Sequence, residues 1–220
     1  SPNLKNDISK IKKEKNVNSN LKLSISDKKI QVLLMFAGVF CCIAMSMPQV
    51  HIVPLCIDSG FGIAVGTEIL SFMLFAAVTS RVLFGFLSDK IGPIQTLILG
   101  STLQAISLSM FLPFNSQLSL YIVAICFGLS QGGIVPIYAV IISKFLPENE
   151  VAERVGLLIF ATIVGMSLGG WLSGEIYDYT NSYQMAFLNG IFWNLINLLI
   201  MFYLFLKYKQ SIKSVDKYEY

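Results

Sequence analysis

The sequence predicts an all-α membrane protein in which six transmembrane helices form two inverted three-helix repeats. Three observations predict this fold: apolar segments of membrane-spanning length, basic residues confined to one set of loops and tails, and a short pattern that recurs three segments apart. Of the 220 residues, 55% are hydrophobic and 13% charged, about half the charged share of a soluble domain. This composition excludes an ordinary soluble enzyme, a disordered chain and a nucleic-acid-binding domain.

Six apolar segments follow a polar stretch rich in Lys, Asn and Ser over residues 1–29, which we expect to be a cytoplasmic linker. The segments cover residues 30–57, 62–87, 91–112, 118–145, 151–177 and 185–206. Each reaches the ~20 residues that a helix needs to cross ~30 Å of hydrocarbon, and none alternates as a β-barrel strand does. We therefore expect a six-helix domain over residues 30–206 and a cytoplasmic tail over residues 207–220.

Basic residues predict the orientation of these segments. Fifteen of the sixteen Lys and Arg residues lie in the tails or near the second and fourth segment ends, whereas the loops near Asp58, Asn115 and Tyr179 contain none. The positive-inside rule then places both termini in the cytoplasm, as expected for a multi-pass protein of a plasma or bacterial inner membrane. Because the chain begins with Ser1 rather than Met, we also expect it to be a piece of a longer protein.

A pattern of the form G-aromatic-L-S-x-x-I begins at Gly85 in the second segment and again at Gly170 in the fifth. The two copies lie three segments apart, where the topology is reversed, as two three-helix units of inverted topology require. The alternative is that small residues recur because helices pack closely. Close packing is also indicated by Gly165, Gly169, Gly170 and Gly174 in the fifth segment. In the sixth segment, we expect interhelical bonding by Asn189, Trp193, Asn194 and Asn197.

Arg81 is the basic residue that falls within a segment. It lies eight residues before Asp89, and so about 12 Å of helix from the cytoplasmic loop. An arginine at this depth is costly unless it faces a wet cavity or a partner, and its planar guanidinium matches a carboxylate in bidentate fashion. We expect it to bind an anion in a central cavity; the alternative is a side chain that snorkels to the interface.

His51 and Glu68 are the other titratable groups at membrane depth. Both lie in the outer third of adjacent segments, where they would meet as a proton relay or gate. Alternatively, His51 binds a carbonyl freed by Pro54 and Glu68 reaches interfacial water.

Several uncharged residues are candidates to line the cavity, with interhelical hydrogen bonding as the alternative. They are Gln49, Ser130, Gln131 and Tyr138. Three prolines inside the segments, Pro48, Pro54 and Pro136, predict bends. The four cysteines, Cys41, Cys42, Cys56 and Cys126, have no C-x-x-C spacing and accompany a single histidine, so we expect no disulfide, metal site or cofactor.

The second segment ends in Gly85-x-x-x-Asp89-Lys90-x-Gly92. This spacing resembles a loop signature of the major facilitator superfamily, in which the glycine permits close helix approach and the Asp pairs with neighbouring helix ends. With six segments and a basic linker, residues 22–206 resemble the C-terminal half of such a transporter, helices seven to twelve. The resemblance implies alternating access by rocking against an N-terminal six-helix half.

A closer resemblance is to the monocarboxylate transporter branch. The spacing Arg81-x-x-x-Gly85-x-x-x-Asp89 is similar to its helix eight, where the arginine binds the substrate carboxylate, and residues 47–54 and 127–136 resemble helices seven and ten of bacterial members. Ala77 stands where animal carriers have Asp, and the fifth segment lacks the lysine of oxalate–formate exchangers. One cationic group implies a monoanion, and the proton-coupling residue stays open.

The expected function is therefore secondary transport of a small organic anion such as a monocarboxylate, with H⁺ as a candidate co-substrate in symport. The alternatives are a facilitator for a drug or neutral metabolite and a non-transporting six-helix scaffold or sensor. An intramembrane enzyme would need a cluster of His, Asp, Glu, Ser or metal ligands, which the sequence does not contain.

Overall fold

A computed structural model describes residues 25–113 and 116–216, and the regular structure of these residues is entirely helical, which confirms the all-α class. In chain order the elements are α1 (Asp27–Asp58), α2 (Ile63–Ile91), α3 (Pro93–Met110), α4 (Gln117–Gln131), α5 (Ile134–Phe145), a 3₁₀ turn (Glu148–Glu150), α6 (Val151–Thr180) and α7 (Tyr183–Asp216). The last helix continues past its predicted end at Leu206. Most of the predicted linker (residues 1–24), the turn at Asn115 and residues 217–220 lie outside the described residues.

Five helical stretches of the described chain are long and apolar enough to cross a membrane. They are α1, α2, α4 together with α5, the 3₁₀ turn together with α6, and α7 as far as Ser211. The third predicted span, residues 91–112, is not among these five stretches. It forms the shorter helix α3, which has 18 residues and includes the polar Gln95 and Gln104. The protein is thus a multi-pass membrane protein with five candidate spans, and α3 packs among them.

The fourth predicted span is interrupted, because Gly132 and Gly133 separate α4 from α5. Glycine favours the helix least among residues other than proline, and Pro136 has no N–H to donate to the carbonyl of Gly132. Pro48 and Pro54 have no such effect, since α1 runs through both as one helix. The interruption therefore coincides with a glycine pair followed by a proline, a combination that α1 lacks.

The connection between α2 and α3 is the single residue Gly92. Its φ of 91° is accessible to glycine at little cost, and Pro93 begins α3, where a missing N–H is tolerated. Asp89 and Lys90 consequently lie in the last turn of α2. The sequence-based expectation that these two residues form a loop is wrong.

Contacts at the helix ends show how the helices are arranged. At one end, Gln31 Nε2 of α1 donates to the carbonyl of Arg154 in α6 (3.1 Å), and the rings of Phe145 in α5 and Tyr208 in α7 lie 5.5 Å apart. We call this the termini end, because α1 begins and α7 finishes there. The opposite end, where α1 finishes at Asp58, is the Asp58 end.

Glycines allow the closest helix contacts in the bundle. A Cβ on Gly165 would lie 2.5 Å from the Val39 carbonyl oxygen, and one on Gly169 would lie 2.4 Å from that of Ile43. Both contacts join α6 to α1, so the predicted close packing through the glycines of the fifth segment is confirmed for these two. The core thus brings α1 against α6 and α7, while α4 and α5 pack against α2 and α3.

Candidate functional site

Arg81 is exposed on α2, and its side chain makes no hydrogen bond or ion pair within the described chain. Ala77 is the central residue of Ile63–Ile91, so Arg81 lies one turn, about 6 Å, from the middle of α2 toward the termini end. The exposed side chains beside it on the helix include the apolar Leu74, Val78 and Val82. The structure therefore places a cation at membrane depth on a largely apolar face, and no described acidic group neutralises it.

Gln49 of α1 and Gln131 of α4 are joined by a hydrogen bond, in which Gln49 Nε2 donates to Gln131 Oε1 (3.0 Å). Gln131 is the central residue of the span Gln117–Phe145 and is 1% exposed. Its own Nε2 has no hydrogen-bond partner. A buried amide left unpaired costs about 1–3 kcal/mol, so the side-chain NH₂ group of Gln131 is a candidate donor to a ligand.

The turns that carry Gln131 and Arg81 are brought together by Gly132. A Cβ on Gly132 would lie 2.1 Å from the carbonyl oxygen of Ala77, so the backbones of α4 and α2 are in direct contact at mid-span. The hydroxyl of Ser80, the residue before Arg81, donates to a backbone carbonyl of α4 (2.6 Å) and caps the helix where it is interrupted. The amide pair and the arginine thus lie on adjoining turns of two helices in contact.

His51 and Glu68 are placed against different helices. The half-buried ring of His51 has Nε2 3.2 Å from the carbonyl oxygen of Gly170 in α6. Glu68 is exposed on α2 and its Oε2 accepts a hydrogen bond from the hydroxyl of Tyr121 in α4 (2.6 Å). No contact in the described chain joins His51 to Glu68, so the structure does not bring them together as a relay.

Tyr138 belongs to a buried polar network that joins α3, α5 and α7. Its hydroxyl, on a side chain with no exposed surface, donates to Asn197 Oδ1 (2.7 Å). Asn197 Nδ2 donates to the hydroxyl of Ser101 (2.9 Å), and Asn194 Nδ2 donates to the carbonyl of Ser101 (2.9 Å). The predicted interhelical bonding by asparagines of the last span is confirmed for these two, and Tyr138 has the interhelical partner that the alternative interpretation anticipated.

The residues of the Gly85–Gly92 motif are mostly open to their surroundings. A Cβ on Gly85 would meet nothing within 4 Å. Asp89 and Lys90 are exposed, and their side chains have no hydrogen bond or ion pair in the part of the chain that the structure describes. The helix-end pairing that the resemblance implies for Asp89 stays a prediction.

Sequence reasoning missed a polar cluster at the Asp58 end. Asp58 Oδ2 accepts hydrogen bonds from the hydroxyls of Tyr177 (2.7 Å) and Tyr183 (2.8 Å), whose rings stack with centroids 4.2 Å apart. The cluster ties α1 to α6 and α7. Its members are separated by 119 and 125 residues from Asp58, so no local spacing could reveal it.

Membrane-length helices, an uncompensated arginine and an unpaired buried amide near mid-span are features of a membrane transport protein. The profile of the Major Facilitator Superfamily matches residues 32–218. The chain belongs to the major facilitator superfamily, which is a family of membrane transporters and not of enzymes.

Individual relatives are similar to this chain over part of their length. Monocarboxylate transporter 13 of Rattus norvegicus is 29% identical over 143 residues, which are 64% of this chain and 33% of the relative. MFS-type transporter opdF of Penicillium oxalicum is 29% identical over 168 residues, 72% of this chain and 40% of the relative. An MFS-type transporter of Gibberella moniliformis is 27% identical over 146 residues, 64% and 35% of the two chains. The matches span between 33% and 40% of the length of these relatives.

Proposed function

We propose that this chain is the C-terminal half, helices seven to twelve, of a secondary active transporter for a small organic anion such as a monocarboxylate. The observation that carries the proposal is the uncompensated guanidinium of Arg81 on a turn adjoining the Gln49–Gln131 pair. The similarity to monocarboxylate transporter 13 supports the substrate class. Transport would proceed by alternating access against an N-terminal six-helix half.

The proposed binding chemistry divides the substrate between two donors. The guanidinium of Arg81 offers a planar fork of N–H groups that fits a carboxylate, and the bound carboxylate neutralises a charge that is costly at this depth. The unpaired Nε2 of Gln131 offers a further donor to an oxygen of the same molecule. Gln49 holds the Gln131 side chain in place through their hydrogen bond.

The helix packing supports the proposed six-span architecture. The contacts of α1 with α6 and α7 have their counterpart in the contacts of α4 and α5 with α2 and α3, as two inverted three-helix repeats require. In such a repeat, α3 is the counterpart of α7. Because α7 is a candidate span, α3 would also cross the membrane and bring the number of spans to six. Every described basic residue other than Arg81 lies near the termini end, which supports a cytoplasmic location for both termini.

Proton coupling is the least constrained part of the proposal. His51 and Glu68 remain the candidates for symport with H⁺, and their separate partners support two independent roles in place of one relay. His51 contacts α6 beside the α1 prolines, so its protonation would act on the α1–α6 contact.

The test is uptake by the complete transporter in proteoliposomes, with labelled lactate, pyruvate or oxalate and an imposed pH gradient. We expect Arg81→Gln to lower monocarboxylate uptake at least 30-fold, since removing one partner of a desolvated charge pair costs about 2–5 kcal/mol. Arg81→Lys should restore part of the loss, because it keeps the charge but not the bidentate fork. In the unsubstituted transporter, an uncharged amide analogue of lactate should not compete with the labelled carboxylate for uptake.

Lys144→Gln is the control, because Lys144 is an exposed cation at the termini end that lies outside the Gly85–Gly92 motif. Its uptake should equal that of the parent. Uptake that is unchanged in Arg81→Gln would overturn the proposal. If that variant instead carries a neutral metabolite normally, the alternative of a facilitator for uncharged substrates gains support, with the Gln49–Gln131 amides as its binding groups.

A further inference from the structure

A groove of about 490 Å³ lies between the start of α1 and the late part of α7, at the termini end. It is lined by Lys28, Lys29, Val32, Leu33 and Tyr203. Both lysines are exposed, and neither ammonium group makes a hydrogen bond or ion pair among residues 25–113 and 116–211. The groove therefore combines an apolar floor with two free cations at its rim.

The groove lies at the boundary between hydrocarbon and headgroups. Tyr203 follows Tyr183, the first residue of α7, by 20 residues, which is about 30 Å of helix and so about one hydrocarbon thickness. Tyrosine is enriched at this level because its ring is apolar and its hydroxyl is wet. Lys207 lies one turn further along α7, with Nζ 5.9 Å from the centroid of the Tyr203 ring.

The charge of the groove selects between possible occupants. Asp27 is the acidic neighbour on α1, so Lys28, Lys29 and Lys207 leave the rim positive. A second groove of about 490 Å³, between α6 and α7 toward the Asp58 end, is lined by Glu175 and eight uncharged residues. The two grooves have the same volume and opposite charge, so an anion would enter only the one at the termini end.

We propose that the groove between α1 and α7 binds an anionic glycerophospholipid. Its phosphate lies between Lys28 and Lys29, and an acyl chain follows Val32 and Leu33 into the hydrocarbon. The N-terminal stretch of the chain is a poor occupant, because residues 1–24 contain six lysines and two acidic residues and have the same sign of charge as the rim. This site does not depend on the proposed transport substrate.

The test is photo-crosslinking in the complete transporter with Val32→benzoylphenylalanine, in vesicles of equimolar phosphatidylglycerol and phosphatidylcholine. A lysine near the membrane surface favours an anionic lipid about five-fold, so the two lysines should enrich phosphatidylglycerol in the adduct about 30-fold. When Lys28→Gln and Lys29→Gln are added, the ratio of phosphatidylglycerol to phosphatidylcholine in the adduct should fall close to the ratio in the vesicles. Lys90→Gln with Lys144→Gln is the matched control, because these lysines lie near the same end but not in the groove, and the enrichment should survive.

Four results would overturn the proposal. The first is an adduct at the mixing ratio in the parent, and the second is an enrichment that survives the loss of Lys28 and Lys29. The third is an adduct to the transporter's own N-terminal stretch in place of lipid. Inorganic phosphate added at millimolar concentration should leave the enrichment unchanged; loss of the enrichment there is the fourth, because it indicates a simple anion site.

Discussion

Replacing Gln131 with methionine separates a role in substrate binding from a role in stability. The change removes one interhelical hydrogen bond, worth about 0.6 kcal/mol on average within membranes. It also removes a buried N–H pair that has no partner, whose cost is about 1–3 kcal/mol. Gln49 is half-buried and can turn to water, so the free energy of unfolding should stay the same or rise by about 1 kcal/mol.

Asn197→Leu is the contrasting variant, because Asn197 is a buried amide whose side-chain atoms are both paired. Its loss breaks the bonds to Tyr138 and Ser101 and leaves the Tyr138 hydroxyl buried without an acceptor. We expect the free energy of unfolding to fall by about 2–4 kcal/mol, from two interhelical bonds and one orphaned hydroxyl. Denaturant titration of the complete transporter in mixed micelles measures both values.

Transport should be affected more by Gln131→Met than by Asn197→Leu, which is the reverse of their effects on stability. A hydrogen bond to a charged group contributes about 1.5–3 kcal/mol, so Gln131→Met should lower monocarboxylate uptake about 10-fold or more. Per folded molecule, Asn197→Leu should retain uptake. The reasoning is refuted if Gln131→Met is as destabilising as Asn197→Leu, or if it transports at the parent rate.

Two further predictions concern helix contacts away from the arginine. Gly169→Ala should lower the free energy of unfolding by about 1–3 kcal/mol, because its Cβ would lie 2.4 Å from a carbonyl oxygen of α1. A Cβ on Gly156 of the same helix would meet nothing within 4 Å, so Gly156→Ala should raise the free energy of unfolding by up to about 1 kcal/mol. Equal effects of the two variants in denaturant titrations would contradict this prediction. Asp58→Ala removes the acceptor shared by Tyr177 and Tyr183. Deuterium uptake, measured by mass spectrometry, should therefore increase over residues 176–186 and stay constant over residues 35–45. An unchanged exchange pattern would argue against a stabilising role for the cluster.

The helices were predictable because a membrane fixes their length and polarity. Hydrocarbon admits only backbone that satisfies its own hydrogen bonds, so each long apolar run in the described chain is helical, although Gly132 and Gly133 interrupt the fourth run and the last helix continues from Leu206 to Asp216. The ends were less predictable, since helix boundaries at the interface depend on local caps. Gly92 reverses the chain in one residue, which left Asp89 and Lys90 helical.

The candidate site was predictable in its residue types and not in its pairing. Arg81 stood out because one charge at membrane depth is visible in any hydropathy profile. The contact between Gln49 and Gln131 joins residues 82 positions apart, and the separation of His51 from Glu68 depends on the rotation of α1 and α2 about their axes. Adjacent segments predict a shared depth, but the facing of a side chain is decided by helix packing.

The depth of each unpaired polar atom in the membrane separates Gln131 from the two buried groups that lie near the helix ends. Three buried side-chain atoms in the described chain have no hydrogen-bond partner: Gln31 Oε1, Gln131 Nε2 and Asn189 Nδ2. Gln31 and Asn189 lie within two turns of the ends of α1 and α7, where interfacial water is near. Gln131 is 14 residues, about 21 Å of helix, from both ends of its span, so hydration from the interface cannot compensate it. A buried donor that the interface cannot hydrate needs a ligand or a wet cavity to satisfy it, and this supports the proposal that Gln131, more than the other two, acts with Arg81.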